Sequence, residues 1–290
     1  MINIKDFSFT YPTSTVPALS DLDLDVPSGE LCVVLGAGGA GKSTLAGVIS
    51  GTIPHLTGGT ASGAVQVNET TVANEDTAHL AAHVGLVMQN PFNQISGARF
   101  TVREELAFGL ENLGVPRAEM NERVDAVMDE LRLTHLRDRS PFQLSGGQQQ
   151  LLAIGSVLVM RPAVVALDEP TSQLDAAGCD LVFTALATLR QRGITVLLAE
   201  QRVERVAREA DRVVVLEKGR VVATGTPDEV LAREELESWG IAPLRYTIAA
   251  RRAAERHQWP TGRPLPVTLD SAAEGFGGMT SIVTAGGATA

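Results

Sequence analysis

The stretch GAGGAGKST, Gly36 to Thr44, sets a lysine and two hydroxyls directly behind a glycine-rich run. Its spacing fits G-x-x-x-x-G-K-[ST], the pattern of a phosphate-holding loop. Gly36, Gly38, Gly39 and Gly41, with the small Ala37 and Ala40 between them, let backbone N–H groups turn inward around phosphate oxygens. A helix starting there adds the positive end of its dipole. In that pattern Lys42 reaches the β- and γ-phosphates of a nucleotide, Ser43 ligands Mg²⁺ and Thr44 closes the motif. Two further clusters carry chemistry. AVVALDEP ends in Asp168, suited to the Mg²⁺ shell, and Glu169, suited to polarising a water for in-line attack on the γ-phosphate. Taken alone, the same acids also fit a solvated loop. LSGGQQQ offers Ser145 as a helix N-cap, with Gly146, Gly147 and Gln148 opening the helix. A serine hydroxyl and two glycine N–H groups at a helix start make a second anion site. One nucleotide cannot need two phosphate cradles from one subunit, so this site faces a nucleotide held by another subunit. An ordinary capped helix is the plainer alternative.

These residues need rigid elements behind them. ELCVVLGAGGAGKSTLAGVISG reads as a buried strand, the glycine loop and a helix. AVVALDEP and ITVLLAEQ are continuous apolar runs, which suit central strands of a parallel sheet covered on both faces. Residues 2–10 alternate apolar and polar, GAVQVNETTV resembles a hairpin strand, and DRVVVLEKGRVVATGTP reads as a strand pair turning at Lys218-Gly219. Residues 101–136 repeat apolar positions at three- and four-residue steps, which predicts helix. In YTIAARRAAERHQ the apolar Ile248, Ala249 and Ala253 fall on neighbouring turns, and GGMTSIVTAGGATA reads as a Gly/Ala-rich mobile end.

With these motifs in order, the chain resembles the ATP-binding-cassette (ABC) ATPases over about residues 2–235. LSGGQ, Leu144 to Gln148, matches the family signature. Tyr11 in FSFTYP matches the aromatic that stacks on adenine, with core packing as its plain alternative. Gln89 matches the glutamine that touches Mg²⁺ and the attacking water, or else is a surface amide. SQLD, Ser172 to Asp175, matches the loop that crosses a dimer interface, or else Asp175 simply caps a helix. The resemblance implies an α/β P-loop NTPase fold of ABC type: a parallel core sheet, an antiparallel β subdomain, and a helical signature subdomain over about residues 90–160. The cassette spans residues 1–240 and a partly helical extension spans 241–290. It also implies ATP and Mg²⁺ as cofactors, and two cassettes that sandwich two ATP molecules head to tail. One departure stands out. The family usually carries a histidine after the last apolar run, where this chain has Gln201. A glutamine amide donates a hydrogen bond but carries no charge, which implies slow turnover at this chain's own site. A register shifted by one, with Glu200 or Arg202 in that place, is the alternative.

MQNPFNQISGARFTVREELAFGLENLGVP and the stretches GIAPLRYTIAARR and GRPLPVTLDSAAE are similar to ATP-binding subunits of energy-coupling-factor importers. That similarity implies a second cassette, identical or different, and a transmembrane coupling subunit whose helices fill a groove beside Gln89. It further implies a small membrane subunit that captures a vitamin or metal ion. The chain would then sit peripherally on the cytoplasmic face of the membrane. A soluble cassette protein outside transport, or a slow regulatory cassette paired with an active one, are the other readings. Composition narrows these. The formal charge is −10, and only Lys5, Lys42 and Lys218 are lysines, so nucleic acid is not an expected partner. Cys32 and Cys179 lie apart in apolar contexts, as reduced buried thiols do. No apolar run approaches the roughly 20 residues that span a bilayer, and no leader pattern opens the chain. The expectation is a protein soluble by itself, with any membrane role exercised through partners.

Overall fold

The structure, a computed structural model, describes residues 1–285. Alternation builds the first sheet. β1 (Ile2–Thr10) buries Ile2, Ile4, Phe7 and Phe9, and an irregularity between Ile4 and Phe7 resets its two-residue period. β2 (Leu19–Val26) pairs with it antiparallel, Ile2 opposite Val26. β3 (Leu31–Leu35) leaves for a second sheet, while β4 (Thr60–Val67) and β5 (Thr70–Thr71) complete the first in the order β2-β1-β4-β5.

The second sheet has six strands in the order β10-β9-β3-β8-β7-β6. It consists of β3, β6 (Val84–Val87), β7 (Val164–Asp168), β8 (Thr195–Ala199), β9 (Arg212–Glu217) and β10 (Arg220–Gly225). All pairs are parallel except β9 with β10, which turn through Lys218 and Gly219, both left-handed at φ 48° and 79°. Successive residues of β3 serve opposite faces. Leu31, Val33 and Leu35 join one core with Leu106, Leu152 and Leu186, while Cys32 and Val34 join the other, with Leu45, Ile49 and the first sheet. A strand buried on both faces must read as an unbroken apolar run, which is why LCVVL does. Both cysteines are free and buried, and burial pushes the Cys32 thiol up to about 12.

The helices fill the connections. α1 (Lys42–Ile49), α2 (Thr52–His55) and α3 (Thr77–His83) precede β6. α4 (Val102–Asn112), α5 (Arg117–Glu130) and α6 (Gly146–Leu158) lie between β6 and β7. The helical pattern over 101–136 is thus not one helix. Gly114, left-handed at φ 68°, and Pro116 interrupt it. Capping boxes start α4 at Thr101 with Glu104 and α6 at Ser145 with Gln148. α7 (Ala176–Gln191), α8 (Val203–Glu209) and α9 (Pro227–Leu231) follow β7, β8 and β10.

Beyond the sheet, α10 (Arg245–Glu255) and α11 (Leu269–Ala285) continue the chain. This segment is rooted in the main core through Ile241, Leu244 and Val267. Tyr246 Oη donates to the Val267 carbonyl at 2.9 Å, and the Trp259 ring meets Phe276 edge-on. These contacts set the rotation of α10. It buries Thr247 and Ala250, whereas Ala249, grouped with Ile248 and Ala253 by sequence, is exposed. α11 runs past Gly277, where composition suggested a mobile end. Thr268 supports its start by accepting from the Ser271 N–H at 3.2 Å. Residues 286–290 of that stretch lie outside the described residues. No helix among the described residues is long and apolar enough to cross a membrane.

Candidate functional site

The C-terminal ends of β3, β7 and β8 lie side by side, with Val34 and Asp168 both in register with Ala199. Their three following loops therefore emerge at one edge, where open parallel sheets bind ligands. The loop after β3 needs its glycines. A Cβ on Gly36 would lie 2.3 Å from the Leu216 carbonyl oxygen, and Gly41 sits at φ 108°. Gly41 is also the N-cap of α1 and supplies no side chain. The first turn of α1 holds no acid either, so its unpaired N–H groups and dipole favour an anion.

Lys42 is only 5 % exposed and folds back over this loop. Its Nζ donates to the Gly36 carbonyl at 2.9 Å and the Ala37 carbonyl at 3.1 Å, and pairs with Glu169 Oε1 at 3.2 Å. Ser43 Oγ donates to Asp168 Oδ1 at 2.9 Å. Burial raises the Asp168 pKa above the ordinary value. The Ser43 hydrogen bond opposes the rise, the Glu169 charge adds to it, and Lys42 opposes it. Tyr11 Oη lies 3.1 Å from Thr44 Oγ1, which sets the half-buried ring beside the first turn of α1.

Glu169 occupies a left-handed conformation, φ 45°, uncommon for a non-glycine residue. Its N–H donates to the Ala199 carbonyl at 3.0 Å, and Oε1 accepts from Gln201 Nε2 at 2.8 Å. Among residues 200–202 the side chain facing Glu169 is therefore Gln201, which shares Oε1 with Lys42. Glu200 bonds Thr171 instead, and Arg202 donates to the carbonyls of Thr171 and Leu174. Of the three residues of the alternative registers, Gln201 is the one whose side chain meets Glu169.

Other candidates stand apart from this group. Gln89 Nε2 donates to Ser172 Oγ at 3.3 Å and does not bond Ser43 or Asp168. Asp175 Oδ1 accepts from the Gly178 N–H at 2.7 Å and caps α7, the plain alternative for it. Ser145 Oγ accepts from the Gln148 N–H at 3.4 Å, and the Gln148 side chain accepts from the Ser145 N–H at 3.0 Å. Gly146 and Gly147 approach Leu174 and Gly178, and none of these four residues hydrogen-bonds residues 36–44. Sequence reading missed two neighbours of the site. Thr171 is fully buried beneath it, and a Cβ on Gly240 would lie 2.8 Å from Ala37 Cβ, which backs the glycine loop. A glycine directly after Trp239 was the available signal for the second.

The donors fit Mg²⁺ only in part. A half-buried carboxylate and a hydroxyl are the hard oxygen ligands Mg²⁺ takes, but the described residues include no cluster of three or more His, Cys, Asp or Glu suited to a metal. The set suits an ion that completes its shell with phosphate oxygens and water.

The sequence pattern of the family described as ABC transporter matches residues 19–172. A putative ABC transporter ATP-binding protein of Streptomyces coelicolor is 42 % identical over 278 residues, 92 % of this chain and 49 % of that one. The chain thus spans about half the length of that relative. The energy-coupling factor transporter ATP-binding protein EcfA1 of Lacticaseibacillus paracasei is 41 % identical over 233 residues, 80 % of this chain and 81 % of that one. The structure of cbiO1 from Clostridium perfringens, part of the ABC transporter complex cbiONQ, is 29 % identical. It aligns with a TM-score of 0.72 over 88 % of this chain and 94 % of that one.

Proposed function

The chain belongs to the ABC transporter family of ATP-binding proteins, and from that premise we propose that it binds and hydrolyses ATP to power a membrane importer of the energy-coupling-factor type. The observation that carries the reading is the bonded group at the uncapped start of α1, where Lys42 and Gln201 meet on Glu169 and Ser43 meets Asp168. Nucleotide phosphates take the α1 N–H groups and draw Lys42 away from its carbonyls and from Glu169. Ser43 and Asp168 are the residues that would hold Mg²⁺, and Gln89, now bonded to Ser172, would be the amide available to it. Such an ion, when bound, would supply charge neutralisation at the phosphates. Released from Lys42, Glu169 polarises the attacking water while the Gln201 amide holds its carboxylate in place. Tyr11 offers its ring to the adenine.

The α6 start has no bond to this chain's own glycine loop, which supports its use by a second cassette's ATP. The Ser172–Asp175 loop then lies at the contact between cassettes. On the membrane side, Phe92 and Phe142 stack with centroids 6.4 Å apart, and Phe100 is 85 % exposed. A nearby cleft of about 400 Å³ includes Leu56, Met88, Phe108 and Met160 in its lining. Such an apolar surface beside Gln89 suits helices of a transmembrane coupling subunit. The likeness to EcfA1 and cbiO1 supports the energy-coupling-factor type; a vitamin or metal ion as cargo, captured by a separate membrane subunit, is what the sequence resemblance adds to the proposal. Gln201 favours a second reading within the first: a slow cassette that lends its signature to a faster, different partner. The test is ATP titration and turnover of the chain alone and with a partner cassette. Affinity for ATP that needs Lys42 supports the proposal, and absence of ATP binding overturns it.

A further inference from the structure

Glu200 ends the apolar run of β8 and is 2 % exposed, yet it makes no ion pair among the described residues. A buried carboxylate without a countercharge is costly unless hydrogen bonds satisfy it. Here they do. Thr171 Oγ1 donates to Oε2 at 2.6 Å, and the N–H groups of Gln201 and Arg202 donate to Oε1 at 2.8 and 3.1 Å. Arg202 closes the loop in the opposite direction, donating to the Leu174 carbonyl at 3.1 Å and the Thr171 carbonyl at 3.4 Å. Gln201 lies between two residues tied to the 171–174 segment, and its side chain meets Glu169 at 2.8 Å. Ser172, next to the buried Thr171, receives the Gln89 amide.

We propose that Glu200 is a positioning residue: with Thr171 it clamps the backbone on which Gln201 meets Glu169, and it ties that contact to the Ser172–Asp175 loop. The inference rests on the ATPase reading above. Gln201 is a long side chain at the end of a strand, and its amide has no other partner among the described residues. Without the clamp its backbone loses two anchored N–H groups, and the geometry at Glu169 loosens. The length of the side chain matters. Aspartate, one methylene shorter, cannot reach Thr171 Oγ1 and both N–H groups together. Glutamine can, with Nε2 donating to Thr171 Oγ1 and Oε1 accepting the two N–H groups.

The test is a double-mutant cycle on the full chain with ATP and Mg²⁺, joined to its partner cassette if turnover requires one. Thr171→Val deletes the donor at nearly constant shape. It should lower kcat about tenfold and leave ATP affinity within about twofold, while Thr171→Ser should stay within about threefold of wild type. In a Gln201→Ala background, Thr171→Val should cost less than about twofold further, because the residue it positions is gone. An equal loss in both backgrounds would make Thr171 and Glu200 merely structural and overturn the proposal. Unchanged kcat in Thr171→Val would overturn it too. If Thr171→Val fails to fold, Glu200→Gln against Glu200→Asp decides: the clamp requires the first to keep kcat and the second to lose it, and equal rates refute it. A wild-type chain with no affinity for ATP overturns the nucleotide-site reading instead, so the two failures are distinguishable.

Discussion

The starts of α1 and α6 both combine glycine with a hydroxyl residue, and both offer a helix N-terminus to an anion, but they rest differently. α1 has a glycine N-cap with no side-chain partner for its N–H groups, and Lys42 covers the loop before it by bonding two of its carbonyls. α6 satisfies itself, Ser145 and Gln148 completing a reciprocal capping box. The first end is poised for a ligand in the single chain. The second is stable without one, and its 3.4 Å cap bond is long enough to yield to a stronger acceptor. On the proposed reading this is why one chain binds nucleotide with α1 alone and recruits α6 only when another cassette brings a γ-phosphate to it.

The largest expected effect comes from Glu169→Gln. It keeps shape and a carbonyl for the Gln201 amide, but removes the base. Turnover should fall by about 10²–10⁴, and light scattering with ATP and Mg²⁺ should show an accumulated cassette dimer in which each α6 meets the other chain's nucleotide. A variant that turns over normally breaks the assignment of Glu169. Next is Lys42→Ala, which removes a charged phosphate contact worth about 2 kcal/mol and should weaken ATP binding about thirtyfold. Calorimetry on the isolated chain checks it, and unchanged affinity would mean that the α1 end is no more a phosphate site than α6 is. Gln201→His comes third. A charge-assisted bond exceeds a neutral one by about 1–2 kcal/mol, so turnover should rise about five- to thirtyfold. Equal rates would show glutamine to be a full substitute and remove the argument for an unlike partner. The smallest effect concerns pH. Burial raises the Asp168 pKa, so its proton competes with the cation at a pH above that of an exposed carboxylate. The Mg²⁺-dependent part of ATP affinity should therefore begin to weaken at a higher pH than an exposed carboxylate would set, and Asp168→Asn should remove that contribution and leave only the dependence due to ATP itself.

Much of this was legible from sequence because the signals are local. The glycine loop, the Asp168-Glu169 strand end and the Ser145 cap are each contained in fewer than ten consecutive residues, and their geometry follows from strand, turn and helix chemistry. The fold class follows from the same runs, since β3, β7 and β8 read as unbroken apolar segments. What stayed hidden depends on distant pairing. Glu200 looked like a register alternative to Gln201, because nothing in the sequence says that it meets Thr171, 29 residues away. Gly240 against Ala37 and the rotation of α10 are likewise tertiary, set by contacts between segments that carry no shared local pattern. Gln89 was readable as a site residue, but its bond to Ser172 is a feature of how two loops meet.

The contrast between the two helix ends is tested most directly by Ser145→Arg. The substitution costs its own helix about 1 kcal/mol of capping and fills the space before α6 with a long cation. ATP affinity of the isolated chain, measured by calorimetry beside turnover of the assembled cassettes, reads the two ends separately. The account predicts monomer affinity within about twofold of wild type and turnover reduced more than about tenfold. Loss of ATP binding by the monomer, or full turnover in the assembly, would contradict the assignment of α1 to this chain's own nucleotide and α6 to its partner's.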